Sequence, residues 1–151
     1  MRYVLERTRR CALAGLAGLA IAAAAAGCGW EPPEGSSTFA VPTSSWEEGD
    51  NSFDAMVGGD LAIDGEGCTF LDETLTVGVI FPTAIGVTQE DGTRVVVHER
   101  TGDVFAAEGD AVIYGGGYGP RPDAWSEVCS STPTEVAVVH DAPKGDPIAR
   151  A

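Results

Sequence analysis

Apolar residues follow two rhythms along the chain, and the change between them lies near residue 55. From there on they come in short runs alternating with small or polar residues, separated by glycine- and aspartate-bearing turns. Val57, Leu61 and Ile63 mark a first strand, and Cys68–Leu71 returns across the Gly65-Glu66-Gly67 turn. Leu75–Phe81 is rich in β-branched residues and is expected to stop at Pro82, with Ala84–Thr88 restarting the pattern. The Asp91-Gly92 pair predicts a tight turn into Thr93–His98, and Val104–Ala106 reads as its partner. Ala111–Tyr114 and Glu135–His140 complete the set. Gly115–Pro122 is expected to be an open loop, and Ala124–Val128 a single helical turn. Val95–Val97 and Val136–Val139 are unbroken apolar runs, as in central strands covered on both faces. Seven or so short strands without a convincing amphipathic helix predict an all-β domain over residues 55–141. The expected form is a small, partly open antiparallel barrel or a sandwich.

Before residue 55 the rhythm is different. Arg2, Arg7, Arg9 and Arg10 oppose a lone Glu6, and Cys11–Gly27 carries no charged side chain. A basic head, a short apolar stretch and a small-residue exit form the pattern of a signal peptide over residues 1–27, a helix cleaved on export. As a retained anchor the run falls short of the roughly 20 residues that span a bilayer. Residues 28–54 are rich in Pro, Ser, Gly and Glu, keep neither period, and read as a flexible tether. Trp30, Phe39 and Trp46 are its odd members, either packing back on the domain or, for Trp30, sitting at the membrane interface. Residues 142–151, with Pro143 and Pro147, are expected to form a loose tail.

The exit sequence Ala25-Ala26-Gly27-Cys28 resembles the lipobox of bacterial lipoproteins, in which small residues precede a cysteine. The resemblance covers the first 28 residues and departs from the usual pattern in having Ala25 where leucine is common. It implies that the Cys28 thiol receives a diacylglycerol, that a peptidase cuts just before it, and that the new amino terminus is acylated, with a fatty chain such as palmitate. Two or three chains hold stably where one holds only marginally. Ordinary cleavage after Ala-x-Ala would instead leave Cys28 as a free thiol, exposed to oxidation. The domain looks like small β-barrel lipoprotein domains of high-GC bacteria, of the partly open OB type. The residues behind this are Gly59–Asp64 with Cys68–Leu71, Val79–Pro82 and Gly109–Gly117. The location implied is outside the cell, tethered to the membrane through the lipid and facing outward.

Charge and cysteine usage narrow the partners. Of 9 Lys and Arg and 23 Asp and Glu, the leader takes four Arg and one Glu; residues 28–151 keep 5 against 22, a net of −17. Such a surface repels nucleic acid, and no nucleic-acid partner is expected. With Cys11 in the leader and Cys28 at the lipid site, Cys68 and Cys129 remain, and in an oxidising compartment they are expected to pair. A redox or zinc role fits poorly, since there is no Cys-x-x-Cys and the two histidines lie elsewhere.

Candidate chemistry is sparse. Gly115–Gly119 lacks the Lys-Ser/Thr of a phosphate loop, with Arg-Pro following instead, and reads as a glycine-rich strand exit that lets two backbones approach closely. Tyr114, Tyr118, Arg121 and Trp125 cluster in sequence as the best candidate ligand-binding patch, since aromatics beside arginine are typical of binding surfaces, though also of a loop that folds its rings under itself. Asp60, Asp64 and Glu66, or Asp50, Asn51 and Asp54, do not make an EF-type calcium loop and are explained by turn chemistry. His98 and His140 each end a valine-rich strand without a nameable nucleophile or a Gly-x-Ser-x-Gly elbow. No catalytic residue, metal or cofactor is expected. The expectation is a non-enzymatic binding or interaction domain tethered by lipidated Cys28, contacting an envelope protein, a glycan or a small ligand. A hydrolase whose site assembles only in three dimensions, and a purely structural lipoprotein, are the alternatives.

Overall fold

A computed structural model describes residues 29–51 and 53–148. The leader, the lipidation site at Cys28 and residues 149–151 lie outside the described residues. Between residues 29 and 148 the protein is all-β: β1 (Ser37–Phe39), β2 (Thr43–Ser44), β3 (Ala55–Asp60), β4 (Ala62–Ile63), β5 (Thr69–Phe70), β6 (Val77–Pro82), β7 (Ala84–Thr88), β8 (Arg94–His98), β9 (Val104–Ala107), β10 (Ala111–Gly119) and β11 (Glu135–Val139), with one short helix, α1 (Asp123–Ser126).

The strands form two sheets. A four-stranded sheet runs β1-β7-β8-β9, and a curled, half-barrel sheet runs β3-β10-β11-β6-β5-β4 with β2 joined to β6. Most pairings are antiparallel, but β11 and β2 each lie parallel to β6. A parallel neighbour cannot be reached by a tight turn: β3, β4 and β5 intervene between β2 and β6, and β7–β10 with α1 between β6 and β11.

Local chemistry accounts for the turns. Between β7 and β8, Gly92 takes φ +87°, Gln89 N–H donates to Thr93 O at 2.8 Å, and the Asp91 carboxylate accepts from Thr93 N–H at 2.8 Å. The Gly115–Pro122 loop expected from sequence is a strand as far as Gly119. β10 pairs with β3 over Ala111–Gly115 and with β11 over Gly116–Gly119. The glycines serve close approach, since a Cβ on Gly116 would press into the Val138 carbonyl. Pro82 ends its run as expected: it is the last residue of β6, and the chain turns a corner there before β7. The corner residue, Thr83, has φ +44°, a costly conformation for a β-branched side chain. It is held by Thr83 N–H to Ser44 O at 3.1 Å and Glu99 N–H to Thr83 O at 2.9 Å.

The core falls into three parts. The largest, around Val57, Leu61, Val79, Phe81, Val96, Phe105 and Tyr114, fills the space between the sheets. A second surrounds Trp125, with Phe70, Ile80 and Val136. Cys68 and Cys129 lie here at disulfide distance, with Cα atoms 5.7 Å apart, within the usual range for a bridge. The third, Val87, Val95 and Val97, lies on the outer face of the four-stranded sheet and is covered by Trp30 and Ile148. As the valine run implied, Val95, Val96 and Val97 are all buried.

The segment expected to be a flexible tether is in large part built into the domain. Trp30 N–H donates to Arg100 O at 3.2 Å, Gly35 approaches Glu90, β1 pairs with β7, and β2 pairs with β6. Its composition is that of a linker, but Trp30, Phe39 and Val41 supply enough apolar surface to dock it. The tail is also not loose throughout. Gly145 N–H donates to Val104 O at 3.0 Å, Pro147 bridges Asp103, and Ile148 packs beside Trp30.

Candidate functional site

The patch expected from Tyr114, Tyr118, Arg121 and Trp125 does not assemble. Trp125 is 0% exposed, packs edge-on against Phe70 with ring centroids 5.3 Å apart, and donates its indole N–H to Ser131 O at 3.0 Å. Tyr114 is buried in the central core, with its hydroxyl donating to Phe105 O. Burial, with Asp141 and Asp110 nearby, pushes its pKa up to about 12. Tyr118 and Arg121 stay exposed, but the other two rings face inward. Two of the four side chains are apolar enough to be worth about 1.5–3 kcal/mol or more each when buried, and that gain outweighs any surface use.

The acidic groups resolve as expected for turns. Asp64 accepts from Glu66 N–H at 2.8 Å and Cys68 N–H at 3.0 Å. Glu66 lies beside both, but it is occupied by Ser130, whose backbone N–H at 2.9 Å and hydroxyl at 2.8 Å hold its carboxyl below the usual range. The sulfur of Cys68 faces Cys129, so Asp64, Glu66 and Cys68 do not offer a metal three free ligands. Around Asp72, burial raises the pKa, but bonds from Thr74, Thr76 and Val77 outweigh it and lower the value. Arg94 is likewise spent on structure: it forks onto Glu108 and bonds the Ile63 and Asp64 carbonyls, tying β8 to the β4–β5 turn.

The concavity lies elsewhere. A cleft of about 380 Å³ opens where β6 passes into β7, walled by Trp46 with Glu47 and Glu48, by Thr83 and His98, and by Arg100, Thr101, Asp103 and Asp141. Both strand-end histidines serve this end of the molecule. His98 lines the cleft, and its Nδ1 accepts from Arg100 N–H at 3.3 Å. Burial lowers its pKa, the Arg100 charge adds to that, and Asp103, Glu99 and Glu47 oppose. His140 is sandwiched between Trp46, at 5.6 Å and 14°, and Phe53, at 5.2 Å and 20°. Its Nδ1 accepts from Phe53 N–H at 3.2 Å. Among the described residues neither imidazole hydrogen-bonds a serine, a threonine or a carboxylate.

Four carboxylates (Glu47, Glu48, Asp103 and Asp141) stand against Arg100 and His98. Arg100 and Glu47 approach to 3.5 Å, but both are largely exposed and the pair contributes little. The cleft therefore presents mainly hydrogen-bond acceptors beside an aromatic wall, and it suits a ligand rich in donors. The Trp46 indole N–H is buried and has no hydrogen-bond partner among the described residues. Thr83, in its strained conformation, forms part of the wall, as strained backbone often does at binding sites.

A second surface lies on the edge strand β3. Phe53, Met56 and Ile113 are 64%, 67% and 61% exposed and stand around Gly58, Gly115 and Gly117, an apolar face floored by glycine. Sequence reading found neither surface. His98 and His140 were singled out, but their partners Trp46 and Phe53 come from the stretch taken as tether. No protein-family model matches the chain, and no curated protein and no solved structure matches it either.

Proposed function

We propose that this chain is an envelope lipoprotein, held outside the cell by a lipid on Cys28, whose domain binds a partner through the cleft between Trp46 and His98. The acceptor-rich cleft, with four carboxylates beside Trp46, is the observation that carries the binding role. It suits a donor-rich group of the envelope, either glycan hydroxyls or a basic protein segment. Support for the anchor comes from the leader and its small-residue exit, and from the cysteine count. With Cys68 and Cys129 beside each other, Cys28 is the cysteine left needing a fate. An OB-type closure of the curled sheet belongs to the same reading. It is supported by β10, which pairs with β3 along its first half and β11 along its second, as a strand turning a barrel corner does.

Two measurements test this. Mass spectrometry of the mature protein should find acylated Cys28 as the first residue; an unmodified thiol there would remove the anchor. A photo-crosslinking residue at position 48, in the cleft wall, should capture a partner from intact envelopes, and Trp46→Ala should abolish the capture. Equal capture from position 90 at the opposite turn, or none from either, would count against the cleft.

A further inference from the structure

We infer that the domain stands directly on the lipid surface, with the 99–103 turn and its side of the cleft toward the bilayer, and does not hang from a long leash. This rests on the proposed lipid at Cys28. Trp30 comes two residues after that cysteine, and it is fixed. Its N–H donates to Arg100 O at 3.2 Å, and its ring lies over Gly102, where a Cβ would collide with the indole. Val87, Val95, Val97, Val104 and Ile148 pack around it. Two residues of fully extended chain reach at most about 7 Å. A lipid on Cys28 therefore holds the 99–103 turn within about 7 Å of its point of attachment, plus the length of one side chain.

The strap that follows leads away from this point. From Trp30 at the 99–103 turn the chain reaches Gly35, which abuts Glu90 at the opposite turn, before β1 returns along β7. The two turns are separated by the length of β8, which is about 14 Å at the antiparallel rise of roughly 3.4 Å per residue. Composition alone would have made residues 28–54 a spacer. With the strap docked, its length contributes almost nothing to the distance from the membrane. Arg100, Thr101 and Asp103 line the cleft from the membrane-side turn, so a ligand of the cleft is met at the bilayer surface. The net charge of −17 on residues 28–151 keeps the rest of the domain from lying flat on anionic lipid.

The test uses energy transfer from a coumarin amino acid at position 99 or 90, both exposed glutamates, to rhodamine-labelled lipid in phosphatidylcholine vesicles. The lipidated full chain should transfer more strongly from 99 than from 90. Inserting twelve Gly and Ser residues after Gly29, roughly 20 Å of flexible coil, should erase the difference. Equal transfer from both positions in the unextended chain, or a reversed order, would overturn the orientation. A second arm couples the Cys28 thiol of residues 28–151 to a maleimide headgroup lipid, which sets the tether chemically. If the order 99 above 90 holds there while the native protein carries no lipid, the anchor reading fails and the docked strap stands. If neither arm gives the order, the docked strap fails whatever the lipid.

Discussion

Trp125 and Trp30 do the same thing at opposite places in the molecule, and they do it with different security. Each lays its ring over a glycine where no side chain would fit: Gly78 for Trp125, where a Cβ would lie 2.6 Å from the ring, and Gly102 for Trp30. Trp125 is fully buried, its indole N–H is satisfied by Ser131 O, and Cys68 and Cys129 close the chain around it. Trp30 is only partly buried, its indole N–H has no partner, and nothing covalent holds it within the described residues. A full set of contacts and a cross-link make one tryptophan a keystone. The other is a clasp, held by packing and one backbone hydrogen bond. A clasp suits the start of a strap whose position, rather than whose strength, decides how the domain sits.

The comparison can be broken from either side. Trp125→Ala should destabilise most, by about 3–5 kcal/mol in urea unfolding under oxidising conditions, because it empties a fully packed site. A loss under about 1 kcal/mol would mean the site collapses freely. Replacing both Cys68 and Cys129 with serine should cost about 2–4 kcal/mol, since the two are 61 positions apart and the loop they close is long. A loss confined to reducing agent in the wild type, and absent in the double variant, would tie the effect to the bridge. Trp30→Ala should cost less, about 1–2 kcal/mol, its ring being only partly buried. It should also raise amide exchange in β1 and the 99–103 turn while leaving β11 protected. Exchange rising equally everywhere would show that the clasp is part of the global core.

The smallest effect concerns His98. Its pKa in the folded protein is lowered by burial and by Arg100, so the unfolded chain binds a proton more readily. This histidine therefore contributes stability above the unfolded pKa near 6.5, and that contribution is lost as pH falls toward and through the lowered folded value. His98→Gln should flatten the stability profile in that window. The separate decline at lower pH, set by Glu66, Asp72 and Asp91, whose folded pKa values are also lowered, should remain. An unchanged slope below 6.5 in the variant would show that His98 does not titrate differently on folding.

Much of the fold can be read from residue order. The strands β6, β7, β8, β9 and β11 lie where β-branched runs and turn glycines mark them, since alternation and Asp-Gly signals are local properties. The Cys68–Cys129 pairing followed from counting. The candidate site was not legible. Aromatics beside an arginine fit either a binding patch or rings folded under their own loop, and Tyr114 and Trp125 are buried, because burial depends on what packs above a residue. The cleft joins residues near 46, 83, 98–103 and 141, and nothing in their spacing shows that they meet. For Gly115–Gly119 the close approach of backbones expected of a glycine-rich strand exit is present, but the open loop is not, because glycine signals both and only the neighbouring strand distinguishes them.

The sequence by itself determined an all-β domain, its turns, its acidic surface and the pair of cysteines that can bridge, because each depends on residue type and near neighbours. Tertiary structure alone decided that a linker-like strap is bound to the second sheet and that Trp125 is core. It alone brought His98 and His140 to the same end of the molecule. Those outcomes depend on which apolar surfaces find each other across long stretches of chain, and composition carries no record of that.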